Sequence, residues 1–144
     1  MKLAVLTPNV TALAQPSVDE IAELAARGYR SIISNRAENE TEDQPDWIGL
    51  KAAAAAQNMD AVQCPVVMGQ IGEEQVDAFR ETLERLPKPI AVFCRTGTRA
   101  ALMWALANEG NLTIEERIAA AARGGYDLEP FRHRLAGETS SAQS

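Results

Sequence analysis

One histidine and two cysteines leave this 144-residue chain little with which to hold a soft metal. Cys64 and Cys94 are too far apart for a CxxC pair, no zinc-ligand spacing is present, and no metal or other cofactor is expected. Basic clusters are also missing. The formal charge is −6, with 14 Lys and Arg against 20 Asp and Glu, which argues against nucleic acid and acidic membrane surfaces as partners. No apolar run approaches membrane-spanning length. The opening "MKLAVLTPNVTAL" is interrupted too soon by Pro8 and Asn9 to read as a signal peptide. Free thiols without a leader point to the reducing cytoplasm.

What is present is the make-up of a globular domain: 46% apolar and 24% charged residues, enough chain to bury a core without disulfides. A single domain is expected over residues 1–136, with a flexible tail over 137–144. Ser17 and Glu20 form a capping box ahead of Ile21, Leu24 and Ala25 at helical spacing, and Gly28 should stop that helix. "YRSIIS" then reads as a buried strand. Pro45 stands near the start of a helix through Trp47, Ile48 and Leu50, and "DAVQCPVV" as the next strand, ending at Pro65. Val76, Phe79, Leu83 and Leu86 make one apolar stripe, and "IAVF" is a short strand. An almost wholly apolar helix over 100–107, a second capping box at Thr113 and Glu116, and a short helix near 129–135 complete the pattern. Alternating strands and helices imply an α/β fold with a parallel central sheet covered on both faces. Ligands of such sheets collect at the carboxyl ends of the strands.

Cys94 falls at one of those ends. In "AVFCRTGTRAALMWAL" the chain turns from strand to helix within Cys94-Arg95-Thr96-Gly97-Thr98-Arg99. Backbone amides at a helix start lack helical partners and can converge on an anion, and Gly97 permits an angle other residues resist. Arg99 supplies a planar fork for an oxyanion at the positive end of the helix. A thiol placed there is suited to act as a thiolate nucleophile. The competing reading is a buried, inert cysteine beside two solvated arginines. Strand, loop length, glycine and terminal arginine agree on the reactive one.

These residues carry a family resemblance. "FCRTGTRAALMWAL" resembles the active-site segment of the bacterial phosphatase-like domains of beta-lactamase hydrolase-like proteins, some of them fused to persulfide dioxygenases. "ALAQPSVDEIAELAARGYRSIISNR", "PVVMGQIGEEQVDAF" and "IAAAARGGYDLEPFRHRL" resemble the same family, so the likeness spans roughly residues 3–135. It implies a protein-tyrosine-phosphatase-like fold of the dual-specificity kind, with Cys94 as nucleophile and Arg99 as anion clamp. It also implies a persulfide dioxygenase as a functional partner.

Two departures bear on the chemistry. Tyrosine phosphatases place five residues between cysteine and arginine; this chain has four, the count of rhodanese-type sulfurtransferases. The stretch "PVVMGQIG", where such phosphatases carry an acidic proton donor, has no Asp or Glu, and Phe93 stands where they usually carry histidine before the cysteine. Sulfur transfer through a Cys94 persulfide expels a stable anion and needs no acid, so it leads. A phosphatase working through cysteinyl phosphate is the alternative, and a non-catalytic anion sensor a third. The substrate expected is a small anion: a persulfide, thiosulfate or a phosphate ester.

Around the loop, Arg95, Thr96, Gly97 and Thr98 are expected to bind the anion, with Asn35 and Arg36 at the end of "SIIS" as further ligands or as loop supports. Arg95 also reads as a solvent-facing side chain. Cys64 is a candidate resolving thiol or a small buried hydrophobe. Glu40 can serve as a distant acid by folding inward, although "ENETED" reads as a solvated loop. Gln15 reads as a turn former near the site. His133 is assigned to a surface helix, Met103 and Trp104 to the core, and Tyr126 to packing at a helix end.

Overall fold

A computed structural model describes residues 1–137 of the chain; residues 138–144, most of the expected tail, lie outside the described residues. The chain opens with a hairpin, β1 (Ala4–Thr7) and β2 (Val10–Ala14), which the sequence pattern did not reveal. Residues 10–13 are buried on both faces, so their side chains do not alternate between apolar and polar, and periodicity gives no strand signal. Next come α1 (Val18–Ala26), β3 (Ser31–Ser34), α2 (Trp47–Ala56) and β4 (Asp60–Gln63). They are followed by α3 (Glu73–Arg85), β5 (Ile90–Cys94), α4 (Thr98–Ala107) and α5 (Ile114–Arg123). A 3-10 turn (Glu129–Phe131) runs into the short α6 (Arg132–Leu135).

The sheet order is β1-β2-β5-β3-β4. The β1–β2 pair is antiparallel, whereas β2–β5, β5–β3 and β3–β4 are parallel, so the expected parallel sheet holds for four strands and gains an antiparallel edge. β5 lies at the centre with every residue buried. Its side chains alternate between two cores. Ile90, Val92 and Cys94 pack with Phe79, Met103, Trp104 and Ile118 from α3, α4 and α5. Ala91 and Phe93 pack with Ile21, Leu24, Leu50 and Ala54 from α1 and α2.

Local signals set the helix ends. Ser17 Oγ accepts from the Glu20 amide while the Glu20 carboxylate accepts from the Ser17 amide, and Thr113 and Glu116 repeat the arrangement. α4 sits behind the central strand and buries seven of its ten residues, which explains why it is apolar all round. The parallel register then brings Ala14 beside Cys94 and aligns Ser34 with both Phe93 and Gln63. One edge of the sheet therefore collects Gln15, Asn35, Arg36, Cys64 and Cys94.

Candidate active site

The turn after β5 is built around Cys94, which is 1% exposed. Arg95 C=O accepts from the Gln15 amide at 3.3 Å, tying the loop to the end of β2. Gly97 has φ +101° and its N–H donates to Cys94 Sγ at 3.1 Å. Glycine is required here twice over: the angle is left-handed, and a Cβ would overlap the Tyr126 hydroxyl. The first helical bond of α4 runs from Ala101 N–H to Gly97 C=O, so the amides of Thr98, Arg99 and Ala100 stand ahead of the helical ladder. Arg95 and Thr96 are exposed at the mouth of the loop, and Thr98 is half-buried. The geometry is compatible with the anion cradle expected from the spacing.

Arg99 is held by more than the loop. Its Nη1 donates to Val66 C=O at 2.7 Å and to Glu40 Oε2 at 2.8 Å, and its Nη2 donates to Glu40 Oε1 at 3.0 Å. Glu40 thus takes the end-on fork of the guanidinium. Both Nη1 hydrogens are committed, and the Nε–H and second Nη2–H form a second fork that Glu40 leaves open. Cys94 acts electrostatically on Arg99 as well, more weakly than Glu40 does. The hydrogen-bonded Glu40 carboxylate raises the pKa of Arg99 further. Glu40 is therefore a brace for the arginine.

The loop "ENETED" is solvated as expected at Glu38, Asn39, Glu42 and Asp43, but the Glu40 side chain turns inward, where it meets Arg36, a guanidinium only 2% exposed that needs a counter-charge. Arg36 Nε donates to Glu40 Oε1 at 3.0 Å, Nη1 to Gln15 Oε1 at 3.0 Å, and Nη2 to Thr41 Oγ1 at 3.1 Å. Glu40 also accepts from the Ala37 amide at 3.1 Å. The Arg99 hydrogen bond, followed by that of Arg36, holds the Glu40 carboxyl at a pKa of about 2 against the opposing effect of burial. A carboxylate so stabilised gives no proton near neutrality. Glu40 folds inward, as the acid reading required, but does not act as an acid. Asp43, beside Arg36 and Arg95, is lowered as well, first by the Thr41 hydroxyl.

Three expected site residues take other parts. Arg36 directs three of its donors at protein partners, which supports the loop carrying Glu40 and Thr41. Asn35 is fully buried; its amide donates to Phe93 C=O at 2.8 Å and its Nδ2 to Cys64 C=O at 2.9 Å, while Oδ1 is unpartnered. It ties strand ends together. Cys64 is level with Cys94 but β3 runs between them, two strand spacings or about 9.6 Å, beyond the reach of a disulfide. Its thiol donates to Thr82 Oγ1 at 3.7 Å, and burial raises its pKa. Cys64 is a packing residue in this arrangement.

Two contributors escaped the sequence reading. Val66 C=O fixes Arg99, which no side-chain pattern can announce. Tyr126, read as helix-end packing, meets the loop itself, and only the two glycines before it hinted at a close approach. Beside the cradle, Gln15, Ser17, Arg36, Thr41, Asp43 and Arg95 line an open groove of about 400 Å3.

Residues 2–111 match the family described as "Beta-lactamase hydrolase-like protein, phosphatase-like domain". A protein of that name from Xylella fastidiosa is 32% identical over 130 residues, which cover 89% of this chain and 30% of the relative. The chain thus spans less than a third of the curated relatives it matches. A solved Neisseria meningitidis protein described as a candidate phosphatase superposes with a TM-score of 0.86 at 28% identity, over 96% of this chain and 99% of that one. TpbA from P. aeruginosa, solved with phosphotyrosine bound, gives a TM-score of 0.68 at 14% identity, over 94% and 80% of the two chains. At that identity the likeness is one of fold, and the fold is protein-tyrosine-phosphatase-like.

Proposed function

The chain belongs to the phosphatase-like domain family of beta-lactamase hydrolase-like proteins, and from that premise we propose that it is a cysteine-dependent sulfurtransferase using Cys94 and Arg99. One observation carries the choice of sulfur over phosphate. Two carboxylates beside the loop, Glu40 and Asp43, are held ionised by neighbouring donors, Glu20 is engaged in capping α1, and the loop after β4 offers Val66, Val67 and Met68 where an acid would be needed. Displacing an alkoxide from phosphorus calls for a proton donor at that point. Displacing a thiolate or sulfite from sulfur does not.

The reaction has two displacements. The Cys94 thiolate attacks the sulfane sulfur of a persulfide or thiosulfate; the new S–S bond forms as the old one breaks, and a thiolate or sulfite leaves with the electron pair. The loop amides and the open fork of Arg99 meet the charge at the cradle, and Arg95 at its mouth meets charge on the incoming anion. A second thiolate then attacks the outer sulfur of the Cys94 persulfide, carries it away and restores the nucleophile. No outside oxidant or reductant is consumed. The product is itself a persulfide, which makes a persulfide dioxygenase the natural functional partner, and a free thiolate nucleophile fits the reducing cytoplasm.

The fold favours a second reading: TpbA, which shares it, binds phosphotyrosine. Phenolates leave more readily than alkoxides, so aryl phosphates are the esters this site would hydrolyse without an acid. An anion sensor is disfavoured because binding alone requires no thiol. Intact-protein mass spectrometry separates the readings. After thiosulfate or glutathione persulfide, wild type is expected to gain one sulfur that cyanide or thiol removes, and Cys94→Ser to gain none. Alkylation of Cys94 without any such adduct would transfer the assignment to aryl phosphates, and an unreactive Cys94 would leave the sensor.

A further inference from the structure

Glycine rotates more freely than any other residue, so a loop that depends on the Gly97 amide needs something to hold it. The Arg95 carbonyl ties the start of the loop to Gln15, but the Arg95 and Thr96 side chains are exposed and leave Gly97 itself unsupported from that side. The fixed element comes from beyond α5. A Cβ at Gly124 would overlap the Ala4 side chain of β1, so the chain leaving α5 presses directly on the hairpin. Gly125 follows with φ +94°, and the Tyr126 amide donates back to Ala121 C=O at 2.9 Å. This tight turn aims Tyr126, 8% exposed, at the nucleophile's loop. The phenol occupies the place of a Cβ at position 97, and the same glycine's N–H donates to Cys94 Sγ.

We propose that Tyr126 is a positioning residue for the nucleophile, pressing Gly97 into the conformation in which its amide meets Cys94 Sγ. The proposal rests on Cys94 acting as a nucleophile and is indifferent to whether sulfur or phosphorus is attacked. Burial, and then the charge on Cys94, raise the pKa of Tyr126, which places the phenol within electrostatic reach of the thiol. Tyr126 also lines a cavity of about 420 Å3 with Gln15, Thr96 and Thr98.

Iodoacetamide alkylation of Cys94 tests this without either substrate, in a Cys64→Ser background and from pH 5 to 10. Tyr126→Phe and Tyr126→Ala should alkylate about 3–10-fold more slowly at pH 7 and converge with the parent at the alkaline end. A purely structural role would not move the profile along the pH axis. In Gly97→Ala the added methyl should slow alkylation, and Gly97→Ala with Tyr126→Ala should recover part of the loss, because the overlap disappears while the backbone strain remains. Superimposable profiles for folded Tyr126→Ala and parent protein would overturn the proposal, as would strict additivity in the double variant. Failure of sulfur transfer alone would leave these profiles unchanged, so the two ideas fall separately.

Discussion

Replacing Glu40 by glutamine keeps the size of the side chain and removes its charge. In the parent protein that carboxylate accepts from Arg36, Arg99 and the Ala37 amide at once. Glu40→Gln leaves the buried Arg36 guanidinium without its counter-ion, a change that costs about 3–5 kcal/mol when a fully buried pair is broken. Glu40 keeps part of its contact with water, its side chain being 22% exposed, so about 2 kcal/mol is expected, a fall of roughly 6–8 °C in Tm. The pH dependence carries a signature. The carboxyl has a pKa of about 2 in the folded chain against 4.5 ordinarily, so between those values the unfolded chain binds more protons. The stabilisation is therefore complete above about pH 4.5 and is lost as pH falls toward 2. Thermal melts of both proteins from pH 7 to 3 should show a gap that narrows only below pH 4.5. Activity should fall about tenfold, because Arg99 loses its brace. Parallel melting curves across that range would refute the assigned role of Glu40, and a gain in activity would show that the carboxylate blocks the arginine instead of bracing it.

Arg99→Lys keeps the charge but cannot serve Val66, Glu40 and the cradle together, so sulfur transfer should fall about 100-fold with melting little changed, as read from steady-state rates and calorimetry. Oxidation with diamide should give no intramolecular disulfide by non-reducing mass analysis, and Cys64→Ser should retain full Cys94 alkylation; a Cys64–Cys94 crosslink would show that the strand ends move far more than their pairing allows. Ser17→Ala removes the N-cap of α1 and should cost about 1 kcal/mol in urea unfolding while leaving the alkylation rate unchanged.

Glu40 illustrates how unevenly the site was legible. Its neighbours in "ENETED" are all polar and mostly exposed, and nothing in a polar run marks which one carboxylate turns in to a buried arginine. The deciding fact is the burial of Arg36, which depends on β3 lying next to the central strand. Asn35 and Arg36 were placed correctly at the strand end, but their donors went to protein partners: distant Phe93 and Cys64 for Asn35, and nearby Glu40 and Thr41 together with Gln15 for Arg36. For Cys64 the sequence put the thiol at the right edge and level, and sheet order put a strand in the way.

The sequence by itself determined what is local or periodic. Capping boxes at Ser17 and Thr113, the apolar stripe of α3 and the all-round apolar α4 are written in neighbouring residues, since hydrogen bonds at helix ends and burial along one face act over a turn or two. The CxxxxR loop belongs to the same class, because strand end, glycine and helix start are contiguous. Tertiary structure alone decided which long-range partners complete that loop. Glu40 and Val66 brace Arg99, and Tyr126 seats against Gly97, through contacts between segments joined only by the parallel register and the packing of α5 on β1. Such contacts depend on where whole elements come to rest, and no short-range pattern in the chain encodes that.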